Sequence, residues 1–410
     1  MKFIRVFICF VFIIMLVPTL VIADDFDEPT SFDISTLTVS ADATQEPTIS
    51  SRRAIVMERN SKAVLYEKNS HDVCKMASTT KIMTCILILE NCDLGSEVTV
   101  SSFAASTIGS RLGLHTNDSI TVQDLLYGLM LCSGNDAAVC LAEFCGGSVD
   151  GFAGMMNSKA KELGLESTHF VTPHGLDNDD HYTTAYDFAI LTDYALNNPL
   201  FVQIVGTKYY TVSINGNSKD IHNTNPLLGS LSSVYGVKTG YTSQAGRCLI
   251  SAAKQDNLDI IVVVFGSDTS NIRNNDSATL INYAFANFEA VDFAELVNSK
   301  FSDYKNYVLP YVSILKGDSK LLTPELAELS LKFYPVRKSL ADSISVTLNE
   351  FNLEAPIAEN QSVAEISVFV ENNKVFSTNI VSSSYINKKT SFDYLNYFIL
   401  NYKNFYQIYW

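Results

Sequence analysis

The sequence predicts an α/β (α+β) chain in which an antiparallel sheet is flanked by helices, with a small β-rich domain after it. Three observations point there. Two short apolar, β-branched runs, Arg247–Ala253 and Ile260–Phe265, flank a polar turn at Lys254–Asn257, as paired central strands do. Apolar residues recur at helical spacing in several segments between residues 78 and 163. Past about Val291 the period changes to two, as in Ile344-Ser345-Val346-Thr347-Leu348.

In chain order, Lys2 and Arg5 precede the apolar run Val6–Val17, and Val21-Ile22-Ala23 then meets Asp24-Asp25. A basic start, a short apolar stretch and a small residue at the cut describe a secretory signal peptide over residues 1–23. Residues 24–50, rich in Asp, Ser and Thr without periodicity, read as a flexible leader. Ala54–Tyr66 reads as two strands around a polar turn at Arg59–Lys62. Ile82, Ile86 and Leu89 place a helix from near Ser78, and Val122–Met130, Asn135–Phe144, Phe152–Leu163 and Ser277–Phe288 follow as further helices. These elements bound a first α/β (α+β) domain at residues 51–290. Ile366–Val370, with Asn372-Asn373 before Val375, reads as a hairpin in a second domain at residues 291–380. Residues 381–410 form an aromatic tail. On a helical wheel Leu395, Phe398, Tyr402, Phe405, Tyr406 and Tyr409 share one face, with Asn396, Lys403, Asn404 and Gln407 opposite. Such a helix docks on the second domain or lies in a membrane interface, where Tyr and Trp prefer to sit.

A chain of 410 residues with 47% hydrophobic side chains has material for a large core and more than one domain. A net charge of -15 lacks the basic footprint of a nucleic-acid binder. Of eight cysteines, Cys9 falls in the signal segment and seven remain, an odd number that cannot pair completely within one chain. Their spacing matches neither a zinc ribbon nor a CxxC redox site, and most are expected as small buried hydrophobes.

The chemistry begins at Cys74–Thr84, where Lys81 follows Ser78 by three residues. On a helix the two share a face. A serine hydroxyl is a weak nucleophile until a base takes its proton. Lysine serves as that base only when neutral, a state favoured by desolvation and by the positive end of a helix dipole. The plainer alternative is helix capping by Ser78, Thr79 or Thr80. Two more triplets bear on the choice. Ser133-Gly134-Asn135 lies between apolar segments: Ser133 can relay a proton and Asn135 can hold a substrate amide, or the triplet is a helix-to-helix turn. Lys238-Thr239-Gly240 offers a cation and a hydroxyl for a carboxylate, with Gly240 admitting a substrate backbone, or else it is a strand edge with a surface lysine. S-x-x-K, S-x-N and K-T-G in this order are the motif set of penicillin-recognising serine enzymes.

The sequence resembles the low-molecular-mass penicillin-binding D-alanyl-D-alanine carboxypeptidases of bacteria. The resemblance is carried by Ala77–Thr84, Asp124–Tyr127, Ser133–Ala138, Thr172–Asp177, His181–Asp187, Asn223–Asn225 and Lys238–Thr242, and extends more loosely into the β-rich domain. It implies a penicillin-binding/β-lactamase-like catalytic fold. It further implies that Ser78 attacks the carbonyl between two terminal D-alanines of a peptidoglycan stem peptide, with Lys81 as base. Ser133 and Asn135 would complete the proton path and substrate contacts. Lys238 would supply positive potential, and Thr239 would grip the terminal carboxylate beside Gly240. The backbone N–H groups of Ser78 and Tyr241 would form the oxyanion hole. β-Lactams would act as covalent inhibitors, and the C-terminal tail would hold the enzyme to the outer face of the cytoplasmic membrane. No cofactor and no metal are implied. Arg247 after Ala245-Gly246 and Met76 before Ala77-Ser78 depart from the family pattern, where an aromatic or apolar residue and a proline are expected.

Two rival functions share these features. A β-lactamase carries the three motifs, yet no Glu stands out for the deacylating water, and the second domain is extra. A non-catalytic cell-wall-binding protein would keep the pocket but has no reason to keep every motif residue. His169, His174 and His181 near Asp177, Asp179 and Asp180 invite a metal reading. Pro173 and Gly175 make that stretch a loop, whose histidines are expected to bond backbone. Arg273 and Asp276, one helical turn apart, read as a structural ion pair.

Overall fold

The structure is a computed structural model that describes residues 45–408 apart from Lys320, with backbone only over 401–408. The signal segment and the leader up to residue 44 lie outside the described residues.

The chain opens with β1 (Arg53–Glu58) and β2 (Val64–Lys68), then a 3-10 turn at Ala77–Thr80 that runs straight into α1 (Lys81–Asn91). Next come β3 (Glu97–Thr99), α2 (Ser102–Ala105), β4 (Ser119–Thr121), α3 (Val122–Met130), α4 (Asn135–Gly146) and α5 (Val149–Glu162). They are followed by α6 (Ala185–Leu196), α7 (Pro199–Gly206), β5 (Tyr209–Ile214) and β6 (Asn217–His222). The strands β7 (Val234–Thr242), β8 (Gly246–Gln255) and β9 (Leu258–Ser267) lead into α8 (Ser270–Asn287).

A five-stranded antiparallel sheet, ordered β2-β1-β9-β8-β7, organises this part. Its central strands are covered on both faces, so they read as continuous apolar runs, but alternate side chains go to different cores. Ile261, Val263 and Phe265 of β9 join the helical core of α1, α3, α4 and α6. Ile260, Val262 and Val264 join the core closed by Leu280, Ile281 and Ala284 of α8. The end of the leader is tied into this second layer: Ile49 is buried, and the backbone N–H groups of Ser50 and Ser51 donate to Asp276 at 3.0 and 2.7 Å. Residues 49–50 are therefore packed chain, in contrast to the expected flexible leader. Asp276 serves that contact, while Nε of buried Arg273 donates to Asn274 Oδ1 at 3.0 Å.

After β10 (Phe288–Asp292) the chain forms α9 (Phe293–Asp303), β11 (Ile314–Leu315), β12 (Pro324–Leu326), β13 (Phe333–Arg337) and β14 (Ile344–Glu350). It continues through β15 (Leu353–Glu354), β16 (Ser362–Val370) and β17 (Asn373–Ser382) to α10 (Ser391–Ile408). The four-stranded sheet β12-β17-β16-β14 has its own core, with Phe293 and Val297 of α9 against Ile366, Val368 and Ile380. The β16–β17 reversal turns at Glu371, whose φ is +55°, so Asn373 is already strand.

Candidate active site

The nucleophile candidate sits on strained backbone. Ala77 has φ +49°, which turns the chain sharply into the 3-10 segment. No side chain caps that turn or α1. The hydroxyls of Thr79 and Thr80 instead fold back onto Met76 O at 2.5 Å and Ala77 O at 2.8 Å. Capping is thus not the job of this stretch, and Ser78 Oγ is left facing Lys81 Nζ at 2.9 Å.

Lys81 is fully buried. Its Nζ also donates to Asn135 Oδ1 at 2.7 Å and to the carbonyl of His174 at 3.0 Å. Asn135 is the first residue of α4, and its Nδ2 donates to Ile108 O at 2.7 Å, so its oxygen faces the lysine. Both ends of this amide are engaged, which leaves a second Nδ2 hydrogen for a substrate carbonyl. Ser133 occupies a left-handed position, φ +60°, and its buried Oγ has no hydrogen-bond partner. The helix start that presents Asn135 is anchored by buried Asp136. Its carboxylate accepts from the N–H groups of Leu112, Gly113 and Leu114 at 2.7, 2.7 and 3.0 Å.

Strand β7 forms the opposite wall. A Cβ at Gly240 would lie 2.9 Å from Ser78 N and 3.1 Å from Thr79 N. The glycine therefore lets the strand approach the backbone of the Ser78 turn itself, a tighter demand than room for substrate. Lys238 is buried, with Nζ donating to Thr239 O at 3.0 Å, so the surface-lysine alternative does not hold. Thr239 Oγ1 shares a 2.7 Å hydrogen bond with Thr224 Oγ1. At the end of β7, Thr242 Oγ1 donates to Asp177 at 2.6 Å. Arg247, opposite Tyr241 across the β7–β8 ladder, stacks its guanidinium 4.0 Å from the Tyr241 ring centroid. An arginine thus supplies flat packing where an aromatic or apolar side chain was expected.

The third wall is the loop Thr172–Asp177. Gly175 has φ +88°, and a Cβ there would lie 1.9 Å from Ala77 O, so only glycine fits. His181 Nδ1 accepts from Val171 N at 2.9 Å, which fixes the ring as an Nε2–H donor to Thr80 Oγ1 at 2.8 Å. Burial above all, then the Lys75 and His169 charges, pushes the His181 imidazole down to about 3. His174 is likewise held down to about 3 by burial, then by the Lys81 and His181 charges. His169 Nδ1 meets Asp180 O at 2.6 Å, so the three histidines face different partners. Among the described residues no group of three potential ligands could hold a metal ion.

Sequence reasoning missed three supports of this site: Asp136, the His181–Thr80–Ala77 relay and the Thr224–Thr239 pair. Each lies inside a motif carrying the resemblance, but its partner is far along the chain.

A family model for D-alanyl-D-alanine carboxypeptidases, peptidase S11, matches residues 40–269. The chain is similar to D-alanyl-D-alanine carboxypeptidase DacF of Bacillus subtilis, 34% identical over 355 residues that cover 85% of this chain and 89% of that protein. It is 36% identical to DacC of Escherichia coli over 341 residues, 78% of this chain and 80% of the relative. Penicillin binding protein 5 from Haemophilus influenzae superposes with a TM-score of 0.70 at 27% identity, covering 84% of this chain and 99% of that one. The DD-transpeptidase of Streptomyces K15 aligns with a TM-score of 0.56 at 35% identity, covering 59% and 99%.

Proposed function

This chain belongs to the D-alanyl-D-alanine carboxypeptidase family of serine peptidases, and on that premise we propose that Ser78 is its nucleophile and Lys81 the activating base. The reaction is removal of the terminal D-alanine from peptidoglycan stem peptides, outside the cytoplasmic membrane. The observation that carries the residue assignment is the 2.9 Å contact between Ser78 Oγ and a fully buried lysine amine.

In this mechanism Lys81 Nζ takes the Ser78 hydroxyl proton as Oγ attacks the penultimate carbonyl carbon. The oxyanion that forms is met by the backbone N–H groups of Ser78 and Tyr241, adjacent to the close approach at Gly240. Lys81 returns the proton to the leaving D-alanine amine, with the orphaned Ser133 hydroxyl as the relay between them. Water then attacks the acyl-enzyme and regenerates Ser78. Lys238 and Thr239 hold the terminal carboxylate, and Asn135 orients the peptide. A β-lactam amide follows the same path into Ser78, and its acyl-enzyme persists.

Cleavage of the signal segment after Ala23 and docking of α10 at a membrane interface belong to the same reading. Phe392, Leu395, Phe398 and Leu400 are exposed on α10, an arrangement suited to the headgroup boundary of a bilayer. No helix among the described residues is long and apolar enough to cross a membrane.

The test is release of free D-alanine from a peptide ending in D-Ala-D-Ala, run beside labelling by a fluorescent penicillin. Wild type releases D-alanine and labels at Ser78, and Ser78→Ala does neither while keeping its far-UV circular dichroism. Labelling that survives in Ser78→Ala overturns the nucleophile. Penicillin turnover faster than peptide hydrolysis would make the enzyme a β-lactamase, and neither activity would make it a wall-binding protein.

A further inference from the structure

We propose that Cys92 and Cys145 form a disulfide that ties together the far ends of the two helices carrying Lys81 and Asn135. The geometry follows from helix lengths. α1 starts at Lys81 and α4 at Asn135, and these residues touch through the 2.7 Å Nζ–Oδ1 contact. The helices have 11 and 12 residues. At 1.5 Å per residue each runs about 17 Å away from the site before it ends. Cys92 is the C-terminal cap of α1, and Cys145 lies in the last turn of α4. The two helices pack against each other and share one core, which puts Cys92 and Cys145 at the same end of the pair. Cys92 and Cys145 are half-buried against that core, and the Cys145 thiol is near enough to Cys92 to act on its ionisation.

Both thiols are free in the structure and accessible enough for exchange. Neighbouring thiols on two packed helices reach the S–S length of about 2 Å through side-chain rotation. The oxidant is a donor disulfide. One thiol loses its proton and attacks a donor sulfur, releasing one donor thiolate. The second thiol, deprotonated in turn, displaces the other donor sulfur. The enzyme gives up two electrons and two protons, and the donor becomes two thiols. Burial and the Cys145 contact push the Cys92 thiol up to about 12, so closure should quicken as pH rises toward 9. An extracytoplasmic enzyme meets such donors, whereas reducing cytosol would keep the pair open. The bridge would close a loop of roughly fifty residues that contains the Ser133-Gly134-Asn135 turn, and it would hold the two helices in register.

The experiment uses the full chain, reduced and then exposed to oxidised glutathione at pH 8.5. Free thiols are alkylated with iodoacetamide, and peptides are mapped by mass spectrometry without reduction. The expected result is a Cys92–Cys145 cross-linked peptide two hydrogens lighter than its parts, absent in Cys92→Ser and in Cys145→Ser. The thermal midpoint should rise by about 5–10 °C on oxidation in the wild type and in neither variant. Alkylation of both cysteines after oxidation overturns the proposal. So does a cross-link that pairs either of them with a different cysteine.

Discussion

The His181→Gln substitution tests whether a neutral imidazole underpins the nucleophile turn. In the wild type the ring accepts from Val171 N and donates to Thr80 Oγ1, whose own hydroxyl donates to Ala77 O, the residue before Ser78. Protonation would replace the Nδ1 acceptor by a second donor and break the bond to Val171. The folded imidazole is pushed down to about 3, against about 6.5 for an unperturbed histidine. The unfolded chain therefore binds the proton first as pH falls. His181 costs no stability well above pH 6.5, and its penalty grows as pH drops from 6.5 toward 3. Between pH 7 and pH 5 that penalty is about 2 kcal/mol. Glutamine cannot titrate. The variant should lose roughly 1–2 kcal/mol at pH 7 through one missing hydrogen bond, but about 2 kcal/mol less than wild type on going from pH 7 to pH 5. The assay is urea unfolding at several pH values, followed by far-UV circular dichroism, since the single tryptophan of the sequence is at position 410, far along the chain from this loop. Carboxylates titrating in the same range act equally on both proteins and cancel in the difference. Parallel loss of stability in wild type and variant would refute the argument.

Gly240→Ala places a methyl 2.9 Å from Ser78 N, so β7, which carries Tyr241, must retreat from Ser78 and pull the two proposed oxyanion donors apart. Penicillin acylation should fall about 100-fold or more while the thermal midpoint moves by only a few degrees, and an unchanged acylation rate would contradict the close approach. Lys81→Arg keeps the charge but cannot give up a proton at accessible pH. Acylation should drop by about 10²–10⁴-fold, read as the rate of fluorescent penicillin labelling, and a loss under tenfold would rule out the lysine as base. Deleting residues 385–410 should release the enzyme from vesicles of phosphatidylglycerol and phosphatidylethanolamine in a flotation assay. Unchanged flotation would remove α10 from the membrane reading.

How far the sequence speaks for itself depends on the range of the interaction concerned. The α3 boundaries, Val122–Met130, match those read from the sequence because Thr121 caps the helix locally and the apolar period is regular. The helix α8 begins at Ser270 rather than Ser277, because its first turns bury Arg273 and Asn274 and so hide the apolar period. Its true signal is Thr269, whose hydroxyl accepts from Ile272 N. The helix α9 was missed inside a region read as β-rich, although Asp292 caps it with Glu295 three residues on. The motifs themselves are short and local, and therefore legible. What orders them is not: Thr80 and His181 are 101 residues apart, and Ser78 meets Gly240 only because β7 is the edge strand of the sheet. No spacing rule on a single chain contains those pairings.

On the proposed mechanism, the contacts of Lys81 also let one buried amine serve as base and then as acid without breaking its site. Asn135 Oδ1 and His174 O are obligate acceptors and take two hydrogens in either state. The Ser78 hydroxyl can accept or donate. With an ammonium, Ser78 Oγ accepts the third hydrogen and is a poor nucleophile. With a neutral amine, the lone pair faces Ser78 and the hydroxyl donates to it, so the bond reverses direction and is not lost. Asn135 cannot flip to spoil this, because Ile108 O holds its Nδ2. His174 stays neutral beside the amine and offers it only a carbonyl. In the proposed mechanism the proton can therefore pass from Ser78 to Lys81 and onward to a leaving amine with the contacts to Asn135 and His174 kept. That is the property a serine–lysine pair needs and an ordinary helix cap does not.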